Sequence, residues 1–142
     1  MARTLAGLAL CAGLLAAVAG CDSNPFDPAQ VPAVTVRPGP PPEIAWTPAG
    51  AQIVRVFRGA TAGDGSYSAD LVWDVAAAAP GNTIASPLRY GVAPAGTQAS
   101  APEVLVAGQP YTVWVFRDDP AGSGDGFSNT RNRYVGTATF VP

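Results

Sequence analysis

Leu-Val-Ala-Gly-Gln-Pro-Tyr-Thr-Val-Trp-Val-Phe, residues 105–116, is the stretch that decides the fold. From Tyr111 the side chains alternate: Tyr111, Val113, Val115 and Arg117 share one face, and Thr112, Trp114, Phe116 and Asp118 the other. A period of two belongs to a β-strand, and β-branched and aromatic residues suit its pleated surface. Gly108 and Pro110 punctuate its start, and Asp118-Asp119-Pro120 ends it by joining charge to a missing backbone donor.

Working outward, residues 52–58 alternate in the same way, with Val54 and Val56 opposing Ile53, Arg55 and Phe57. Gly63-Asp64-Gly65-Ser66 then turns the chain into Asp70-Leu71-Val72-Trp73-Asp74-Val75, so the two runs predict a hairpin. Ile44 and Trp46 share a face in a short run that Pro48 stops, and residues 34–36, 103–106 and 134–141 supply further strands. Residues 76–100 are broken by Pro80-Gly81-Asn82, Pro87 and Pro94-Ala95-Gly96, leaving only short extended pieces such as 88–92 for edge strands or loops. About seven strands in this length predict an all-β sandwich.

Leu105, Gly108, Tyr111, Val113 and Val115 resemble the fibronectin type III pattern Leu-x-Pro-Gly-x-x-Tyr-x-Val-x-Val, with Ala107 in place of its proline. Trp46, followed by Thr47-Pro48, resembles the inward tryptophan of that family's second strand. The resemblance implies a fibronectin type III-like, broadly immunoglobulin-like sandwich over residues 43–142. It also implies that the Tyr111 ring is buried, with its hydroxyl bonded to nearby backbone. Trp46 is expected to fill the core, the other reading being a ring that stacks on a ligand.

At 142 residues, with 48% hydrophobic and 13% charged residues, the chain suits one packed domain rather than a disordered one. Its eight basic residues are all arginine, against ten acids and a net charge of −2. Nucleic acid is therefore not expected as a partner, because phosphate neutralisation needs a clustered basic face.

Residues 1–20 read as a signal peptide, Arg3 supplying the positive start and residues 5–18 an apolar run too short to span a bilayer stably. Val18-Ala19-Gly20-Cys21 resembles the bacterial lipobox, which implies cleavage before Cys21 and lipidation of its thiol. A plain secretory signal with an incidental cysteine is the other reading. The membrane is then a partner through acylated Cys21, and the protein is expected in the bacterial cell envelope. Residues 22–42 carry seven prolines and read as a tether that can include the first strand. Fully extended at about 3.1 Å per residue, it would reach on the order of 65 Å.

Cys11 lies in the signal segment and Cys21 would carry lipid, which leaves no cysteine for a disulfide. With no histidine, a His-based catalytic triad and the common zinc, copper and non-haem iron sites lose a required group. Asp118, Asp119 and Asp125 do not follow the spacing of a calcium loop and read as solvated turn acids. Neither metal nor cofactor is expected.

Placing Tyr111, Val113 and Val115 inward sends Trp114 and Phe116 outward, beside Ile53 and Phe57 and with Trp73 from the hairpin. An exposed apolar patch of that size marks a partner surface, with Arg55 and Arg117 at its rim. The competing reading has another segment cover the sheet. Protein docking or adhesion is the leading expectation; a carbohydrate-binding module is the alternative, with sugar stacked on Trp114. A small hydrolase built on Glu43 and Glu103 is the remaining one, and the chain is not expected to be an enzyme.

Overall fold

The computed structural model describes residues 27–60, 70–119 and 133–142. The signal segment, Cys21, the turn at 63–66 and Asp125, with the rest of the loop at 120–132, lie outside the described residues. Among the described residues a single 3-10 turn, Pro28–Gln30, precedes eight strands. These are β1 (Ala33–Arg37), β2 (Glu43–Thr47), β3 (Ile53–Arg58), β4 (Leu71–Ala77), β5 (Leu88–Arg89), β6 (Thr97–Ala99), β7 (Tyr111–Asp118) and β8 (Arg133–Phe140). They form two antiparallel sheets, ordered β1-β2-β5 and β6-β4-β3-β7-β8, and the protein is a β-sandwich.

The alternation that predicts β7 also determines what meets between the sheets. Val113 and Val115 pair with Val56 and Val54 of β3, and all four side chains are fully buried. Ile44 and Trp46 of β2 and Leu88 of β5 face them from the other sheet, with Val34 and Val36 of β1 packed alongside. Trp46 fills the core, as its position predicts; its backbone N–H donates to the Ser86 hydroxyl at 2.9 Å. Tyr111 is equally buried, and its hydroxyl accepts from the Val106 N–H at 2.9 Å, which pins the preceding turn onto the strand.

Two expectations are corrected. Residues 103–106 are not a strand: Pro102 has no N–H to give, and the segment is held instead by the Glu103 N–H donating to the Val72 carbonyl at 3.0 Å. The third strand of the small sheet is the two-residue β5, which is paired to β2. Trp73 does not join the outer face. A register shift between Val56 and Phe57 sets Val72 and Trp73 together opposite Val56, and both enter the core, Trp73 with 1% exposure. The sandwich also reaches into the proline-rich segment, where β1 covers the expected first strand at residues 34–36. Residues 43–47 pair fully with β1, and before it the Asp27 N–H donates to the Tyr134 hydroxyl at 3.1 Å.

That N-terminal segment closes the open side of the sandwich against β8. The Pro32 carbonyl sits where a side chain on Gly136 would point, so the close approach requires a residue without Cβ. Gly136→Ala is expected to cost about 1–3 kcal/mol, read as a lower urea midpoint with an unchanged slope. An unaltered midpoint would mean that Pro32 withdraws without loss.

Candidate functional site

The outer face of the large sheet carries the residues that alternate against the core. Cross-strand pairing lays them in rows: Ala76, Ile53, Phe116 and Val135 in one, Asp74, Arg55, Trp114 and Thr137 in the next, and Leu71, Phe57, Thr112 and Thr139 in a third. Arg55 Nε donates to Asp74 Oδ1 at 2.9 Å, and both side chains are largely buried. The same guanidinium lies 5.4 Å from the centre of the Phe116 ring, a cation–π contact. Phe116 in turn stacks on Trp114, 5.9 Å between centres and 21° between planes.

Trp114, Phe116, Ile53, Phe57 and Arg55 are therefore brought to one face, as the alternation predicts, whereas Trp73 is not. The face is not an open patch. Phe116 is 7% exposed and Phe57 2%, while Trp114 and Ile53 are half-buried. Both phenylalanines are buried rather than open to solvent. Arg55 is engaged by Asp74 and Phe116 rather than standing at a rim.

Arg117 is not at the rim either. It lies on the inner side of β7 and is buried, with Nη1 donating to the carbonyls of Pro48, Ala49 and Gly50 and Nη2 to Gln30 Oε1. Burial lowers its pKa from the ordinary arginine value. Its chemistry is structural: one cation gathers the loop after β2 and the segment before β1.

A second surface, which the sequence does not announce, lies at the other end of the sandwich. A cleft of about 550 Å³ opens there between the β1–β2 connection, the end of β5, the segment before β7 and the C-terminal residue. Five prolines line it, Pro40, Pro41, Pro42, Pro102 and Pro142, together with Tyr90, Leu105 and Val104. Tyr90 ties the walls together. Its N–H donates to the Pro42 carbonyl at 3.0 Å, and its hydroxyl is 2.7 Å from the Glu103 carbonyl and 3.3 Å from that of Val72. Val104, 91% exposed, lines the cleft, and Val92, Val106 and Val141, also exposed, each follow or precede a lining residue directly. These four are the exposed large hydrophobic side chains among the described residues.

The two glutamates weighed as a catalytic pair are engaged separately, Glu43 with Arg37 at 3.3 Å and Glu103 with Arg58 at 2.6 Å. Among the described residues no three acidic, cysteine or histidine side chains gather as a metal site. Sequence reasoning missed the cleft because its walls come from four separate segments. The available signal is Val104 and Val106 flanking Leu105, an alternation that equally predicts a strand. No family model, curated protein or solved structure matches this chain.

Two measurements check this geometry. Trp46 and Trp73 are buried and Trp114 half-buried, so acrylamide quenching of the native protein is expected to report Trp114 alone and to fall close to zero in Trp114→Phe. Strong quenching that survives the substitution would contradict the burial of the other two. Tyr90 has its pKa pushed up to about 12, first by burial, then by the charge of Glu103. Its protonated form is thus favoured in the folded chain, and its contribution to stability is complete below the unfolded tyrosine value of about 10. Between that value and about 12 the unfolded state releases the proton first, so stability falls as pH rises. The melting temperature should decline over this window, and more shallowly in Tyr90→Phe; equal slopes would mean that another group sets the decline.

Proposed function

We propose that the protein is a bacterial envelope lipoprotein, acylated at Cys21 after removal of residues 1–20, whose β-sandwich is a protein-docking module held at the membrane surface. Val18-Ala19-Gly20-Cys21 supports the processing and the anchor. The single structural observation that carries the display role is how soon after Cys21 the chain is already bonded into the sandwich. Asp27 already bonds to Tyr134, so only residues 22–26 separate the lipid-bearing cysteine from the sandwich. Six peptide steps span at most about 20 Å, which holds the domain close to the bilayer.

The sandwich is read as fibronectin type III-like. The Tyr111 hydroxyl on the Val106 N–H and the inward Trp46 support that reading, as does the division that sets β1, β2 and β5 against β4, β3, β7 and β8. Docking is favoured over catalysis because the two candidate glutamates belong to different ion pairs, while the exposed apolar side chains gather at one end. A carbohydrate-binding reading draws on the near-parallel Trp114 and Phe116 rings beside Arg55 and Asp74. It is the weaker one, since the Phe116 face a sugar would stack on is shielded.

Expressed in a bacterium that processes lipoproteins, the wild-type chain should incorporate labelled palmitate and partition into the detergent phase of Triton X-114. Cys21→Ser should lose the label and remain in the aqueous phase. Membrane retention of Cys21→Ser that still requires detergent for release would overturn the anchor.

A further inference from the structure

We propose that Arg117 is a binding site for a carboxylate ligand, which takes hydrogen bonds from Nε and Nη2 of the guanidinium in the place that the Gln30 side chain occupies. Such a site goes beyond the docking reading above and stands without the lipid anchor.

The donors of Arg117 are unequally used. Nη1 donates to the carbonyls of Pro48, Ala49 and Gly50, so that corner of the guanidinium is full. Nη2 reaches only Gln30 Oε1, at 3.4 Å, and Nε is buried with no hydrogen-bond partner. Arg117 as a whole is 6% exposed, so water does not make up the difference at its surface. A buried N–H without an acceptor carries an uncompensated desolvation cost. Nε and Nη2 aim their hydrogens along one edge of the planar group, and a carboxylate matches that edge with both of its oxygens.

Charge argues for the same ligand. The guanidinium is held by neutral acceptors, three backbone carbonyls and one amide oxygen, and no carboxylate among the described residues bonds to it. Burial lowers its pKa, as befits a cation desolvated without a counter-ion. One monoanion neutralises it. A phosphate dianion calls for a second cation, but Arg37, Arg55 and Arg58 are each paired with an acid of their own, and Arg89 stands on β5 of the other sheet.

Gln30 is the way in. It is half-buried, and its two side-chain bonds, one from Arg117 Nη2 and one from its own Nε2 to Asp27 Oδ2, are both 3.4 Å, beyond the usual range of a hydrogen bond. Residues 27–29 before it are exposed, and β1 begins to pair with β2 only at Ala33. The side chain can therefore swing into solvent while β1 stays in place. Charge-assisted bonds are shorter and roughly twice as strong as neutral ones. A carboxylate thus displaces the amide oxygen from Nη2 and gains Nε as a second donor.

The test follows the Nε–H resonance of Arg117 by proton–nitrogen NMR of the full chain, assigned through bonds along its own side chain. Sodium acetate and the capped peptide acetyl-Ala-Glu-Ala-amide are the probes, each titrated at constant ionic strength, with sodium chloride as the control. The wild-type signal should move downfield and saturate with a carboxylate. Gln30→Ala, which removes the competing acceptor, should bind acetate about threefold or more tightly than wild type. Gln30→Glu, which supplies a tethered carboxylate, should show the downfield position without ligand and respond to neither probe. The tighter-binding probe identifies the source of the ligand, a free acid or an acidic side chain on a partner. A signal that chloride moves as far as acetate does, or no saturable movement in Gln30→Ala, would overturn the proposal. So would an Nε–H in Gln30→Glu that stays at its wild-type position. Because Gln30 lies outside the core, these variants keep the fold intact.

Discussion

Strand β7 is hydrogen-bonded along both edges, to β3 and to β8, and this double pairing constrains everything else in the sandwich. A shift of one residue in its register would exchange Val113 and Val115 for Trp114 and Phe116 in the core. The smaller pair fits because the opposing sheet supplies the bulk, with Trp46, Ile44 and Leu88 from β2 and β5. β4 adds Trp73, and its bulge adds Val72, from the same sheet as β7. Tyr111 fixes the phase at one end by accepting from Val106, and Arg117 fixes it at the other.

Arg117 shows how a charge is kept inside such a sandwich. The carbonyls of Pro48, Ala49 and Gly50 converge on one guanidinium nitrogen and Gln30 approaches another, so the cation is solvated by backbone dipoles instead of water. The arrangement draws the segment before β1 onto the large sheet, where the Pro32 carbonyl lies over Gly136 and Asp27 meets Tyr134. Where the chain enters the fold is a consequence of these contacts. The polarity of the molecule follows: an entry end near Asp27, and a far end made of prolines and exposed valines.

Those two ends differ in chemistry as well as position. At the entry end Asn82 exchanges two hydrogen bonds at 2.8 Å with the backbone of Asp118. At the far end Val92, Val104, Val106 and Val141 leave hydrocarbon in solvent. The outer sheet face, which alternation alone marks as the partner surface, is mostly occupied by its own contacts: Arg55 with Asp74, Arg55 with Phe116, and Phe116 with Trp114.

Alternation in the sequence determined β1, β2, β3, β7, β8 and most of β4, because each presents a full period-two pattern to a buried face. It also determined which sides of β3 and β7 point inward, and it singled out Tyr111 and Trp46. Composition removed histidine chemistry outright. Tertiary structure decided the rest. β5 and β6, two and three residues long, are too short to carry a period and exist only because β2 and β4 offer them an edge. Trp73 points inward because it pairs with the inward Val56 in register with Val75, and the bulge beyond it turns Val72 inward as well. The cleft was illegible for a similar reason: a strand writes its burial into neighbouring residues, but Pro41, Tyr90, Val104 and Pro142 are far apart in the chain and become one surface only when the two sheets close.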